Sequence, residues 1–504
     1  MLNLVKNERH RSSSAAHTSL LAATQSDRAR LIYSAAFRRL QQKAQVFSLE
    51  SNSSVRSRLT HSIEVSHIGR YIVGSIFEKI TESKYFNSEI KKYWSENNLS
   101  ISNIVETACL MHDIGNPPFG HFGEAAIVSW SKSDEIKAAL VSALSPEFTD
   151  NDSLNGILKD IHHFDGNPQG FRVITRLQGE DGYYGLNLTY TQLAVFLKYS
   201  CCPVNKDEDK PFNKKVGYFS SEKSIIESAW KSLAMPCNAR HPLGFLMEAS
   251  DDISYCISDI EDGLEKKVID FEGFKEFTVK RLNHLIIDYP REKHICDILI
   301  SRLGKENNLP IGNFLSFKTY LSNYLVDRVS SRFVYNYDRF INFEYNNELI
   351  SEDDFDFHLL KILKDYTSQY LFTSEEAERM ELSGFSIIKG ILDEYLKLLS
   401  LPKEHFAFLV SKDNKNIRKN DLDIQRRLFN RLPSKHLNAY KTSLLELPTN
   451  HADYSDDKVL AKLRRMDERN ELMLRVHLIV DFVSGMTDPF AMDMYQMLKG
   501  IKVM

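Results

Sequence analysis

The chain has few cysteines for its length, and their spacing matches no disulfide framework or zinc–thiolate site. Its 504 residues include 6 cysteines, at positions 109, 201, 202, 237, 256 and 296, without a CxxC pair. Such spacing is typical of reduced thiols, and we expect a cytoplasmic protein. No apolar run approaches the ~18–20 residues that span a bilayer, so we expect no membrane segment. No GxxxxGK[ST] loop is present, which excludes a P-loop phosphate site.

Proline and glycine are also sparse, and their scarcity favours long helices. Only 14 prolines and 21 glycines interrupt the chain, too few for the many turns of a β-sandwich or barrel. Apolar residues recur at helical spacing in 59–80 and again in 245–265, which predicts two long amphipathic helices. We therefore predict a mostly α protein. A short alternating run at 182–191 predicts a small β-hairpin, and the polar segment 204–215 predicts an exposed loop.

The formal net charge of -4 hides two basic segments. Residues 1–60 contain ten Lys/Arg against three acids, and residues 403–441 contain ten against four. Such segments suit phosphate-bearing partners, although a solvated basic face is the more common explanation. The N-terminus is Arg/Ser-rich, as in a transit peptide, but it lacks an apolar h-region, and we expect it to belong to the folded protein.

The stretch 111–123, MHDIGNPPFGHFG, predicts a metal site at the end of a helix. An apolar helix ends on His112 and Asp113, breaks at Gly-Asn-Pro-Pro and restarts near a further histidine. A lone histidine on such a face is more often a satisfied core residue. Here His61 and Asp251, each on another predicted helix, offer one more imidazole and one more carboxylate. A mixed N/O set of this kind suits Mn²⁺, Mg²⁺, Fe or Co.

His121 and Glu124 open the helix that follows the break, one turn apart on the same side. Such a pair can transfer protons, because the carboxylate orients the imidazole and raises its pKa. The alternative is an ordinary helix N-terminus, where Glu124 makes a favourable contact with the helix dipole.

A set of longer motifs resembles the bacterial dGTP triphosphohydrolases, a family of the HD-domain phosphohydrolase superfamily. The motifs are SDRARLIYSAAFRRLQQKAQVF, RSRLTHSIEV, CLMHDIGNPPFGHFGEAAI, HHFDGNPQGFR, LKY, EASDDISYCISDIED and DFVSGMTDPFAMDMY. They match that family in identity and order over most of the chain, and less clearly over 204–240 and 265–440.

The resemblance implies which residues bind the metal and which transfer protons. It makes the ligands His61, His112, Asp113 and Asp251, with Asp251 preferred to Asp252 because the family's ligand precedes the tyrosine by four residues. It also places His121 and Glu124 in catalysis. Some relatives carry a histidine where this chain has Asn116, so Asn116 receives no catalytic role.

The substrate contacts are expected around these ligands. Arg58, one turn before His61, could reach the phosphates, as could Lys198 and Tyr199 of the LKY motif. His163 is expected to line the same pocket. Tyr255 and Asp259 follow Asp251 at i+4 and i+8, so the ring can fill the place of a 2′-OH and the carboxylate can bind the 3′-OH. Related enzymes suggest Gln45 as the second 3′-OH contact.

The resemblance implies an HD-type helical fold and the hydrolysis of dGTP, or of other dNTPs. We expect a catalytic domain over 1–400, with its metal core at roughly 55–265, and a basic helical portion over 401–504 that packs on the same body. The products would be deoxyguanosine and inorganic triphosphate, formed by attack of water at the α-phosphate with Mg²⁺ or Mn²⁺ (Co²⁺ or Fe possible) as cofactor.

The family also suggests a homo-oligomer, for which a hexamer is plausible, and single-stranded DNA as a possible partner. Two alternatives stay open at this point. One is another HD chemistry, such as hydrolysis of cyclic nucleotides or alarmones. The other is a regulatory protein that binds nucleic acid and keeps a vestigial site.

Overall fold

The protein is built from α-helices, and the computed structural model describes all residues except 2, 14, 16, 51, 180–184, 211, 305–309, 446–455, 503 and 504. The helices of the first half are α1 (Leu20–Ile32), α2 (Ala35–Arg39), α3 (Arg58–Glu82), α4 (Ser88–Met111), α5 (Gly120–Ser131), α6 (Asp134–Ala143), α7 (Asn151–Leu158), α8 (Gly166–Arg172), α9 (Tyr190–Phe196), α10 (Lys223–Ser232) and α11 (Gly244–Glu265).

The second half continues the helical pattern to the end of the described chain. Its helices are α12 (Phe271–Asp288), α13 (Lys293–Leu303), α14 (Pro310–Tyr335), α15 (Tyr337–Ile341), α16 (Phe355–Tyr366), α17 (Glu375–Leu399), α18 (Lys403–Val410), α19 (Asn414–Lys419), α20 (Asp423–Phe429), α21 (Ser434–Leu445), α22 (Asp456–Arg465), α23 (Glu468–Ser484) and α24 (Asp488–Leu498). The mostly α prediction is confirmed. Within the described residues, no helix is long and apolar enough to cross a membrane.

Two of these helices confirm the periodicity seen in the sequence. The run 59–80 lies within α3, which begins with a capping box between Ser57 and Thr60, and the run 245–265 lies within α11. The amphipathic pattern predicted for this run does not hold at the start of α3, where the apolar residue Ile63 is 52% exposed. The first turns of α3 bury His61 and Ser62 instead, because this end of the helix faces the site described below.

The predicted hairpin at 182–191 is wrong where the structure describes it. Residues 182–184 lie outside the described residues, and the rest of the run forms no strand. Asn187 has a left-handed φ of 50°, and Thr189 caps α9 with its side chain. Leu186 and Leu188 are buried, so the alternation reflects two anchoring side chains on an irregular segment and not a paired strand.

Buried apolar side chains form two clusters. The first lies among α1–α4 and α8–α16. The second joins α5–α7 to α17–α24, so helices from early and late in the sequence share one core. The domain boundary expected near residue 401 stays a prediction. The two clusters place the end of α4, which belongs to the first, next to the start of α5, which belongs to the second.

Candidate active site

Three helices bring the predicted ligands together. His61 lies in the first turn of α3, His112 caps the end of α4, and Asp251 lies in the second turn of α11. Helix α3 packs against both α4 and α11, which makes these positions neighbours. The predicted helix break is confirmed, since α4 ends at Met111 and α5 begins at Gly120.

The side chains of His61, His112 and Asp251 converge on one point. Oδ1 of Asp251 lies 3.3 Å from Nε2 of His61 and 3.4 Å from Nε2 of His112. The ligand atoms of the three residues all lie within 4.8 Å of one another. Two imidazole nitrogens and one carboxylate oxygen form a donor set that fits a divalent transition metal or Mg²⁺.

The backbone prepares His112 to bind a metal through Nε2. Its Nδ1 is 2.7 Å from the carbonyl oxygen of Cys109. Because a carbonyl only accepts, Nδ1 carries the proton and donates a hydrogen bond to it. Nε2 of the neutral ring is then free to act as a ligand. Burial alone would lower the pKa of His112, but the carboxylates of Asp113 and Asp251 raise it above its usual value. The site therefore favours positive charge, which a bound metal ion would supply.

Asp113 lies next to this group but is held by other partners. Its Oδ2 accepts a hydrogen bond of 2.6 Å from Arg58 and lies 3.5 Å from Nε2 of His112. Its Oδ1 accepts a hydrogen bond of 2.7 Å from the side-chain amide of Asn116. Burial raises the pKa of Asp113, but Arg58 and His112 outweigh this and lower it to about 2. The carboxylate is therefore ionised, as a metal ligand must be.

The pair that follows the helix break is also assembled. Nδ1 of His121 lies 2.8 Å from Oε2 of Glu124, and the other carboxylate oxygen accepts the backbone N–H of Gly166 at 2.7 Å. The hydrogen bond to Glu124 raises the pKa of His121. The imidazole itself projects into the open cavity, with 84% of its side-chain surface exposed. It is therefore oriented by one carboxylate and free to meet a substrate.

The ligands and this pair line a single cavity of about 740 Å³. Of the residues predicted to contact substrate, Gln45, Arg58, Lys198, Tyr199, Tyr255 and Asp259 also line it. The structure does not bring His163 to this cavity. It lies in the 3₁₀ turn Ile161–His163, beside Lys206 and His162. A local motif could not reveal the direction in which that turn faces.

Lysines on three sides of the cavity are each paired with a carboxylate. Nζ of Lys198 lies 3.3 Å from Oε1 of Glu248. Lys215 is 3.1 Å from Asp165, and Lys364 is 3.2 Å from Asp252, nearest N–O distances in each case. Glu248 is buried and also binds Arg240, so one carboxylate pairs with two cations. The three lysines are thus held in place by carboxylates of the protein.

The opposite wall contains polar groups without partners. Asp259 is fully buried, and neither of its carboxylate oxygens has a hydrogen-bond partner within 3.5 Å. Burial raises the pKa of Asp259 well above its usual value and Asp262 raises it further; the Tyr255 hydroxyl, which lies nearby without completing a hydrogen bond, offsets only part of this. The side-chain oxygen of Gln45 is likewise buried without a partner. Unsatisfied buried groups cost free energy, which a bound ligand can return.

Sequence reasoning missed several residues that the structure places at the cavity. Lys215, Lys364, Phe372 and Glu381 all line it. Lys215 belongs to the predicted exposed loop 204–215, and the other three lie in the region 265–440, where no motif was available. None of them carries a local signal, because each reaches the cavity only through tertiary packing.

Comparison with known proteins gives a family for this arrangement. The HD domain model matches residues 58–181, a range that includes three of the four predicted ligands. The chain is 35% identical over 513 residues to the deoxyguanosinetriphosphate triphosphohydrolase of Salmonella paratyphi A, covering 96% of this chain and 94% of that protein. A probable enzyme of the same name from Pseudomonas aeruginosa is 34% identical over 492 residues, covering 95% and 93%. The protein of that name from Yersinia enterocolitica is 34% identical over 508 residues, covering 94% and 93%.

Proposed function

The chain belongs to the deoxyguanosinetriphosphate triphosphohydrolases of the HD superfamily, and we propose that it hydrolyses dGTP to deoxyguanosine and inorganic triphosphate. The observation that carries this proposal is the convergence of His61, His112 and Asp251 beside a lysine-lined cavity large enough for a nucleotide. The reaction is an attack of water at the α-phosphate, with the 5′-oxygen of the nucleoside as the leaving group. No observation favours the two alternatives left open by the sequence.

The site requires a divalent metal, for which we propose Mg²⁺ or Mn²⁺. His61, His112, Asp113 and Asp251 would hold it. Asp113 accepts one hydrogen bond at each oxygen, and each carboxylate oxygen has a further lone pair for a metal. When bound, such an ion supplies Lewis-acid polarisation of a phosphoryl oxygen and activation of water.

His121 acts as the general acid/base of the reaction. Glu124 accepts from its Nδ1, so the Nε2 side of the ring faces the cavity and can exchange a proton with the substrate. The carboxylate also stabilises the imidazolium, which raises the pKa and favours a ring that can donate to the leaving 5′-oxygen. Gly166 fixes Glu124 through a backbone N–H, so the orientation of the ring is set before substrate arrives.

The triphosphate binds where the cations are. Lys198, Lys215 and Lys364 are already charged and aligned by carboxylates. On binding, phosphate oxygens would share or replace these partners. Tyr199 lines the same part of the cavity and can donate its hydroxyl proton. Arg58 is tied to Asp113, so we assign it to the α-phosphate region, next to the metal.

The sugar binds against α11. The 3′-OH can donate to Asp259 and accept from the amide N–H of Gln45, and the donated bond would satisfy a carboxylate that lacks a partner in the free protein. Tyr255 lies one turn from Asp251 and one turn from Asp259, so its ring occupies the space between metal and 3′-OH contact. A 2′-OH would have to fit against this ring, which favours deoxyribose.

The base is read at the far end of the cavity, where α17 begins. Most carboxylates that line the cavity are held by a cation or by a group of the metal site, and Glu381 is an exception besides Asp259 among the described residues. Its pKa is raised by burial and by Glu378. Guanine presents two neighbouring N–H donors that a carboxylate can accept together, and Phe372 offers a ring on which the base can stack.

We propose a cytoplasmic homo-oligomer, with a hexamer as the specific expectation. The basic segment 403–441 is proposed to bind single-stranded DNA. Size-exclusion chromatography with light scattering tests the first, and oligonucleotide titration tests the second.

The experiment that tests the function is a nucleotide panel with detection of inorganic triphosphate. Wild-type protein with Mg²⁺ or Mn²⁺ should release triphosphate and deoxyguanosine from dGTP, faster than from GTP. Cyclic nucleotides and guanosine tetraphosphate serve as substrates for the alternative chemistries. Release of pyrophosphate or orthophosphate from dGTP, or turnover of the alternative substrates alone, would show that the proposal is wrong.

A further inference from the structure

A buried lysine joins the loop after α4 to the C-terminal helices. Lys43 is only 4% exposed, and its Nζ donates to two backbone carbonyls. One belongs to Asn116 in the loop between α4 and α5, at 2.5 Å, and the other to Ser484 at the end of α23, at 3.0 Å. A buried ammonium needs such acceptors, so these three segments are held in one arrangement.

A buried aspartate makes the matching contacts from the other side. Asp488, the first residue of α24, is 1% exposed. Its Oδ1 accepts the backbone N–H of Phe119 at 3.1 Å, and its Oδ2 accepts the backbone N–H of Ala44 at 3.0 Å. Phe119 has a left-handed φ of 61°, a conformation that a non-glycine residue adopts only where its surroundings hold it.

The two amides that Asp488 binds lie one or two residues before residues of the proposed mechanism. Phe119 lies two residues before His121, and Ala44 lies one residue before Gln45. Asp488 therefore fixes the backbone that carries the proton-transfer histidine and the backbone that carries the 3′-OH contact. One carboxylate sets the distance between these two parts of the cavity.

The same C-terminal helices also bind α8, the helix that contacts Glu124. Asp481 of α23 pairs with Arg172 of α8 at 2.8 Å, and α8 begins at Gly166, whose N–H binds Glu124. Gly115 of the loop lies flush against the backbone of α8, where a Cβ would come within 2.0 Å of the Gly170 nitrogen. Both members of the His121–Glu124 pair are thus tied to the helix pair α23–α24.

We propose that Asp488, with Lys43, is a positioning residue for the reaction, through which the helix pair α23–α24 sets the geometry of His121 and Gln45. The inference rests on the proposed roles of those two residues. None of the four proposed metal ligands, His61, His112, Asp113 and Asp251, makes a hydrogen bond to α23 or α24 within the described part of the chain. Metal binding should therefore survive changes at Asp488 that impair turnover.

The test compares D488N and K43M with wild type in three measurements. D488N keeps the shape of the side chain but can accept only one of the two N–H groups, and K43M keeps much of the volume without the donor. In D488N, hydrogen exchange measured without substrate should be faster at the amides of Ala44 and Phe119. The affinity of D488N for Mn²⁺, measured by calorimetry, should equal that of wild type. The kcat for dGTP should fall on the order of 10–100-fold, as small misplacements of catalytic groups do.

Two aspartates serve as controls. Asp493 lies on α24 as well but is exposed, so D493N should match wild type throughout. Asp356 is 1% exposed on α16 and is bound by Tyr324 and Arg328. D356N should lower the melting temperature while kcat, measured well below that temperature, and exchange at Phe119 stay at wild-type values.

A double variant separates positioning from general destabilisation. If Asp488 acts partly through His121, D488N should lower kcat much less in an H121A background than in wild type. Full additivity of the two losses, or unchanged exchange at Ala44 and Phe119 in D488N, would overturn the inference. If D488N does not fold, K43M is expected to show faster exchange at the amides of Asn116 and Phe119 and a similar loss of kcat. Hydrogen exchange needs no turnover, so a wild type without dGTP hydrolysis would refute the proposed function and leave this part of the test readable.

Discussion

Replacing Asp259 by asparagine should make the protein more stable and a poorer enzyme at the same time. Asp259 is fully buried, and neither carboxylate oxygen has a hydrogen-bond partner. An unsatisfied buried polar group costs ~1–3 kcal/mol, and a charge costs more. Asparagine has the same shape and is also polar but carries no charge, so it removes only the cost of burying the charge. A pKa difference of one unit corresponds to ~1.4 kcal/mol, and we expect the unfolding free energy of D259N to rise by ~1–3 kcal/mol at neutral pH. In a chain of this size, that corresponds to an increase in Tm of about 1–3 °C.

The pH dependence of this gain has a defined sign. Burial and Asp262 raise the pKa of Asp259 in the folded state, above about 3.9 in the unfolded chain. The folded wild type therefore binds the proton more tightly, and it loses stability as pH rises from about 4 through the folded-state pKa. D259N lacks this loss. The difference in Tm between D259N and wild type should be small at pH 4 and should grow as pH rises, in protein stripped of metal with EDTA.

The activity should change in the opposite direction. A charge-assisted hydrogen bond is roughly twice as strong as a neutral one, so exchanging the carboxylate for an amide should cost ~1 kcal/mol in binding the 3′-OH. This predicts a loss of about 5–10-fold in kcat/KM for dGTP, with little change for a 2′,3′-dideoxy analogue. Q45A should give the same pattern without the gain in Tm. Equal losses on both nucleotides, together with a lower Tm, would refute the assignment of this wall to the 3′-OH.

Four further results are expected. H112A and D113A should lose bound Mn²⁺ and turnover together, because each removes one of four ligands; full occupancy with normal activity in either variant would contradict the metal site. H121A should keep metal and substrate binding and lose ~10²–10⁴-fold in kcat, whereas a higher KM with wild-type kcat would make the residue a binding group. E124Q should lower the pKa of His121, which the carboxylate raises, and so move the His121-dependent limb of the pH–kcat profile to lower pH. Binding of single-stranded oligonucleotides by 403–441 should weaken steeply with salt, because counterions are released; salt-independent binding would return these residues to a solvated face.

The fold was predictable because its signals are local. Helical periodicity, the capping residues before α3 and the two prolines after α4 all act within a few residues of where they stand. The prediction of a hairpin at 182–191 was wrong because it rested on a local signal alone. Alternating leucines predict a strand, but whether a partner strand exists depends on the rest of the chain, and here Leu186 and Leu188 pack into a core of helices.

The site was predictable only as far as its motifs reach. His61, His112 and Asp251 meet as the family pattern implies, and His121 meets Glu124 because both lie on one helix turn. The motif could not show that the Asp113 carboxylate is also held by Arg58 and Asn116, or that His163 turns away from the cavity. Lys215, Lys364 and Glu381 reach the cavity across tertiary contacts, which no spacing in the sequence records.

The arrangement separates two tasks that the reaction needs. The proposed metal ligands lie on α3, at the end of α4 and on α11, next to the first hydrophobic cluster, so we expect metal binding to depend on how these three helices pack. His121 and Glu124 lie on α5, within the second cluster, and their loop is anchored to α23 and α24 through Lys43 and Asp488. A change in how the two clusters meet would therefore move the proton-transfer pair relative to the metal without altering either group internally.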